Sequence, residues 1–87
     1  MTGTPVTSST GAGAGTLVTA TATCASGKLV LGGGARVTVS SGLAEAFVAL
    51  RSSYPSATNT WTAIAVVTAN LPLLTSATVT AYALCSL

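Results

Sequence analysis

Residues 17–24 have the sequence LVTATATC, in which small apolar side chains alternate with threonine. Successive side chains of an extended strand point to opposite faces. Val18 and Cys24 therefore share one face with two alanines, and Leu17 shares the other face with three threonines. Because β-branched residues such as Val and Thr are also common in strands, the stretch predicts a β-strand with two chemically distinct faces.

The same alternation recurs along the chain. It covers residues 28–31 (KLVL), 36–40 (RVTVS), 60–68 (TWTAIAVVT, the strongest strand) and 77–85 (ATVTAYALC). Residues 32–34 (GGG) are expected to break the second strand as a bulge or tight bend. Residues 51–59 with Pro55, and 70–76 with Pro72, predict a loop and a connector. Five to seven short strands at this spacing indicate an all-β fold, a small antiparallel β-sandwich or barrel.

Residues 43–50 (LAEAFVAL) are compatible with two structures. Ala, Leu and Glu favour helix, and the segment could form two helical turns. The apolar residues also alternate as in a strand, and eight residues are few for a helix but ordinary for a strand. We favour the strand.

Residues 1–16 (MTGTPVTSSTGAGAGT) show no apolar period and predict an extended N-terminal arm before a β-domain at 17–87. One interpretation is a disordered terminus. The other is an assembly arm laid across a neighbouring subunit, with Thr4, Pro5 and Val6 as contact residues.

Composition indicates that the chain needs partners. Hydrophobic residues make up 49% of its 87 residues and charged residues 5%, whereas a soluble domain is typically about 25% charged. A domain this small buries only about 60% of its unfolded surface, so apolar surface is left over. A membrane is the less favoured cover, because the best apolar run, 61–74, is shorter than the roughly 20 residues of a spanning helix. No signal peptide is visible either.

The ionisable side chains argue against catalysis. They comprise Lys28, Arg36, Arg51 and Glu45, with no histidine. General acid–base chemistry needs a group that titrates near neutral pH, and a nucleophilic serine needs a base beside it. Three scattered cations form no patch for nucleic acid. We therefore expect no enzyme activity, no cofactor, no metal site and no nucleic-acid partner.

Cys24 ends the first strand and Cys85 the last. A disulfide between them would close a loop of about 60 residues, worth about 4 kcal/mol by the chain-entropy argument. The alternative is two buried free thiols, which the missing signal peptide favours, since cytosolic thiols stay reduced. We favour the bridge.

Three aromatic residues are candidates for stacking on a sugar: Tyr54, Trp61 and Tyr82. Tyr54 is the best of them, because it lies in the predicted Pro55 loop and loops often carry function. Trp61 and Tyr82 lie on predicted strands, where a core or subunit-interface position is more common.

Three fragments together resemble a known type of small β-domain. They are residues 24–34 (CASGKLVLGGG), 53–56 (SYPS) with 59–62 (NTWT), and 78–85 (TVTAYALC). The domain occurs at the ends of actinobacterial collagen-like and surface proteins, and in virion proteins of phages that infect such bacteria. The resemblance covers about residues 17–86. It implies trimeric display on a particle or cell surface, and it suggests that the paired cysteines form a bridge.

This sequence differs from the fibre proteins of that type, since it begins with Met1, has a short arm and carries no collagen-like repeat. We therefore expect a stand-alone phage capsid decoration (cement) protein on the virion surface. It would be a homotrimer that contacts the major capsid protein or another virion component. The alternative is an extracellular receptor-binding fibre tip that recognises a host-surface glycan or the cell wall.

Overall fold

The structure is a computed structural model that describes residues 1–40 and 47–87. These residues form an all-β fold of two antiparallel three-stranded sheets, packed as in a sandwich and measuring 43 × 17 × 16 Å. The six strands are β1 Val6–Thr7, β2 Leu17–Thr23, β3 Val30–Val39, β4 Val48–Ala57, β5 Thr60–Val67 and β6 Ala77–Cys85. Sheet A has the order β1-β6-β3 and sheet B the order β2-β5-β4.

The core between the sheets is made of small side chains. Its main cluster contains Val18, Ala20, Ala22, Cys24, Ala63, Ala65, Val79, Ala81 and Ala83. The largest fully buried side chains of the described residues are Val67 and Val79. An interior of alanine and valine has little room for leucine, and of the described leucines only Leu71 is buried.

The alternation predicted for residues 17–24 is confirmed. Val18, Ala20 and Ala22 are buried, and the intervening residues of β2 are exposed. The strands predicted at 60–68 and 77–85 are also confirmed as β5 and β6. Across sheet B, Ala20 lies opposite Ala63, so both core-facing residues point inward together.

The bulge expected at the triple glycine is confirmed in part, as a register shift that ends at Gly32, but the expected interruption of the strand is wrong. β3 is continuous from Val30 to Val39, and Gly32, Gly33 and Gly34 pair in sequence with Leu84, Ala83 and Tyr82 of β6. The irregularity is one register shift between Val30 and Gly32, just before the glycines. The glycines therefore have an extended conformation, and the predicted strands 28–31 and 36–40 form one strand.

The loop predicted at residues 51–59 is also wrong for most of its length. β4 extends to Ala57 and includes Pro55. β4 is an edge strand of sheet B, where proline is tolerated because its missing N–H leaves no ladder bond unmade. Two register shifts, between Leu50 and Ser52 and between Pro55 and Ala57, accommodate the irregular stretch.

The structure tests only part of the prediction for residues 43–50. Residues 43–46 lie outside the described residues. Val48, Ala49 and Leu50 belong to β4, as the strand interpretation expects.

The extended N-terminal arm is not confirmed. Val6 and Thr7 pair with Val79 and Thr78 of β6, so this segment completes sheet A of its own chain. Farther along, backbone N–H groups of Gly11 and Gly15 donate to carbonyls of Thr75 and Val67. The segment lacks a clear apolar period because only Ala12 of its sixteen residues is buried.

Leu74 has a left-handed backbone conformation, with φ of 66°, in the connector between β5 and β6. This conformation costs a non-glycine residue about 1–2 kcal/mol, and the side chain is exposed. We expect Leu74→Gly to raise the free energy of unfolding by about 0.5 kcal/mol, because relief of strain exceeds the entropic cost of glycine.

The neighbouring residue provides the control, since Leu73 is equally exposed but has no positive φ. Leu73→Gly should lower the free energy of unfolding by about 0.5–1 kcal/mol. Chemical denaturation of both variants measures the two effects. A lower stability for both would contradict the strained conformation of Leu74.

Candidate functional site

The predicted disulfide is confirmed. Cys24, just after β2 in sheet B, is bonded to Cys85 at the end of β6 in sheet A, with the two Cα atoms 5.8 Å apart. The bridge ties the two sheets together at one end of the molecule, which we call the disulfide end. The turn between β4 and β5 is joined to the start of β3 there as well, because the N–H of Val30 donates to the carbonyl of Thr58.

Trp61 lies inside the disulfide end and joins the sheets. Its indole N–H donates to Ser53 Oγ at 2.8 Å, within sheet B. Its ring packs on Gly33 of sheet A so closely that a Cβ on Gly33 would overlap the ring and approach the carbonyl of Tyr82. Trp61 therefore has a structural contact on its ring face and a hydrogen bond on its polar edge, as expected of a buried tryptophan.

The structure does not bring the three candidate aromatic residues into one site. Tyr54 lies opposite Thr62 on the outer face of sheet B. Tyr82 lies opposite Gly34 on the outer face of sheet A. Both tyrosines are exposed, whereas Trp61 is half-buried between the sheets. The two tyrosines are thus available for contacts on different sides of the molecule.

The three residues predicted to form an assembly arm are exposed, but they follow the edge of sheet A. Val6 is opposite Val79 in the β1–β6 pair, and Thr4 and Pro5 directly precede it. Gly3 donates its N–H to the carbonyl of Ala81 and packs closely on the backbone of Thr21. This part of the segment closes the side of the sandwich between β6 and β2.

Sequence reasoning missed the most informative feature of the surface. The described residues include nine leucines, and eight of them are exposed: Leu17, Leu29, Leu31, Leu50, Leu73, Leu74, Leu84 and Leu87. Only Leu71 is buried. A signal was present in the alternation, because Leu84 and Tyr82 have the same phase as Thr78 and Thr80 and so belong to the outer face of β6.

Several of these residues form one surface, which we call the terminal apolar patch. It consists of Met1, Leu29, Leu31, Tyr82, Leu84 and Leu87. Backbone hydrogen bonds place its members together, since Met1 accepts from the N–H of Ala83 and Leu29 accepts from the N–H of Ser86. Tyr82 and Leu84 of this patch lie on the outer face of sheet A toward the disulfide end.

The rest of the described surface offers little chemistry. An open cavity of about 340 Å³ lies beside Val37, Thr38, Val39 and Val48, away from the disulfide end. None of these residues is ionisable. Among residues 1–40 and 47–87, no group of three or more His, Cys, Asp or Glu residues could hold a metal ion. Within the same residues, no helix has the length and hydropathy needed to cross a membrane.

The fold and surface define a small all-β, disulfide-bridged sandwich in which eight of the nine described leucines are exposed. Comparison with protein-family models, curated proteins and solved structures finds no match to this chain.

Proposed function

We propose that this chain is a non-enzymatic structural module that assembles with copies of itself, and specifically a trimeric capsid decoration protein of a phage. The observation that supports self-assembly is the inverted distribution of apolar residues. Alanine fills the core, while eight of the nine described leucines are 45–112% exposed. A free monomer would leave these side chains in water, and apolar patches of this kind usually mark interaction sites.

The energy available from covering these leucines is sufficient for assembly. Full burial of one leucine is worth about 1.5–3 kcal/mol. A contact that covers four or five of them therefore yields on the order of 10 kcal/mol, which is comparable with the ~4–15 kcal/mol cost of association. One broad side of the molecule measures 43 × 17 Å, about 730 Å². This area is close to the ~800 Å² that each partner contributes to a standard interface.

A head-to-tail contact suits this surface better than a two-fold pair. Apolar residues are exposed on the outer face of sheet A, at Leu84, and on the outer face of sheet B, at Leu17 and Tyr54. A two-fold pair uses one patch on both copies and would leave the other face uncovered. A head-to-tail contact places one face of each copy against the other face of its neighbour and so covers both faces, and it closes into a ring only where the rotation between successive copies closes.

The phage assignment rests on the sequence resemblance of residues 24–34, 53–62 and 78–85 to small virion and surface domains. A disulfide-bridged body also suits a protein that works outside the cell, where disulfides persist. In this proposal, the trimer seats on the shell against the major capsid protein and stabilises it by apolar contacts.

The test of the decoration role is binding to shells. Purified protein is mixed with capsids that lack it, and occupancy is measured by sedimentation and by imaging. We expect saturable binding at symmetry axes and a higher temperature of shell disruption. Particles that carry the protein only on the tail, or shells that do not bind it, would refute the role on the capsid.

A second candidate function is a receptor-binding fibre tip, favoured by the exposed rings of Tyr54 and Tyr82. It predicts affinity for a host-surface glycan or cell-wall preparation that disappears in Tyr54→Ala while the fold persists. Trp61 is unsuitable for this test, because its ring packs on Gly33 and its loss would disturb the sandwich.

A further inference from the structure

Neither a close contact nor a special backbone conformation within the folded monomer explains why two positions of β3 are glycine. A Cβ on Gly32 or Gly34 would meet no atom within 4 Å, and neither residue has a positive φ. Gly33 between them is different, since a side chain there would overlap Trp61. A glycine inside a strand weakens it, so the bare surface at Gly32 and Gly34 calls for another explanation.

These glycines lie beside the exposed members of the terminal apolar patch. Gly32 pairs with Leu84 and Gly34 with Tyr82 on the outer face of sheet A. The missing side chains leave a trough next to Tyr82 and Leu84, and the exposed Arg36 borders it, since Arg36 follows Gly34 on the same face of β3. Apolar walls around a bare backbone suit a large apolar or aromatic side chain from a partner.

Within this chain, Tyr54 is placed to fill the trough of a neighbouring copy. It is exposed on the opposite outer face, in the register position next to that of Trp61. Trp61 in turn packs on Gly33, at the level of the trough. In a head-to-tail contact between copies whose long axes are parallel, all disulfide ends lie at one level. Tyr54 of one copy then faces the trough of the next.

We propose that the subunit contact seats the Tyr54 ring of one copy over Gly32 and Gly34 of a second copy, beside Tyr82 and Leu84. This inference rests on the proposed self-assembly and names its surface. The occupant is a second copy of this chain, because the body offers the trough on one face and the aromatic side chain on the other, and because a full face has the area of a standard interface.

The test uses Gly34→Thr and Tyr54→Ala, singly and combined. Threonine at position 34 has room in the monomer and matches Thr38, Thr78 and Thr80 on the same face. The melting temperature of the Gly34→Thr variant, measured in dilute solution, should be equal to or above that of the parent chain. By contrast, each single variant should raise the dissociation constant of the trimer by roughly tenfold or more, as loss of a central interface contact does.

The combined variant should be little weaker than the worse single variant, because both changes remove the same contact. Leu73→Ala, in the connector after β5, is the matched control and should leave the dissociation constant unchanged. A parent chain that is monomeric refutes the self-assembly itself. If the parent chain is trimeric and the Gly34→Thr and Tyr54→Ala variants keep its dissociation constant, only this contact is refuted. Loss of glycan binding with an intact trimer would likewise overturn it and assign Tyr54 to a ligand.

Discussion

Loss of the Cys24–Cys85 disulfide is expected to lower the free energy of unfolding by about 4 kcal/mol. The bridge joins residues 61 positions apart, so it removes much of the freedom of the unfolded chain. Total stability of a domain is only about 5–15 kcal/mol, and a core of alanine and valine supplies little in reserve. Urea denaturation of the Cys24→Ala, Cys85→Ala double variant, at fixed protein concentration, measures the loss.

Alanine is the appropriate replacement because Cys24 is buried and a serine hydroxyl there would add its own cost. The control is a reducing agent, which should destabilise the parent chain to a similar extent and leave the double variant unchanged. A loss below about 1 kcal/mol would show that the sheets hold together without the bridge.

Gly33→Ala is expected to lower the free energy of unfolding by about 3 kcal/mol, the upper part of the usual range for overpacking a core. The added Cβ would overlap the Trp61 ring and crowd the backbone carbonyl of Tyr82, which cannot move without disturbing β6. Trp61 is also held from its other side by the hydrogen bond to Ser53, so the ring has little freedom to retreat.

The neighbouring glycines are matched controls for this prediction. Gly32→Ala and Gly34→Ala change the same residue type in the same strand, and both positions have open space. They should be neutral or stabilising by about 0.5–1 kcal/mol in dilute solution. Denaturation monitored by Trp61 fluorescence compares all three. Equal effects at the three positions would contradict the packing of Trp61 on Gly33.

The regular strands were predictable from the sequence because one face of each is buried. β2 and β6 alternate cleanly, and the alternation alone places Ala20 and Ala81 inside. The disulfide was predictable in part, since both cysteines end alternating segments. These features depend on local sequence and on one simple geometric rule.

The secondary-structure predictions fail where contacts between residues distant in sequence determine the conformation. Glycine in a strand usually marks a break, and nothing local reveals that Gly33 lies under the ring of Trp61. Pro55 predicts a loop unless the strand is known to be an edge strand. Residues 1–16 show no apolar period, yet backbone hydrogen bonds attach them to β6 and to the segment before it.

The candidate surface was the least predictable part. Residue type alone makes Tyr54, Trp61 and Tyr82 candidates for one binding site, whereas the structure places them at separate positions. Composition predicts an excess of apolar surface, but it does not show that the leucines carry this surface, because leucine is a core residue in most proteins. Close packing of alanine leaves space between the sheets for few larger side chains, such as Trp61 and Leu71.

Sedimentation equilibrium of the parent chain, over roughly 1–100 μM in neutral buffer, tests self-assembly most directly. With a chain mass of 8.4 kDa, three copies give 3 × 8.4, or about 25 kDa. We predict that this mass dominates at the higher concentrations. A folded species of 8.4 kDa throughout the range would contradict the account.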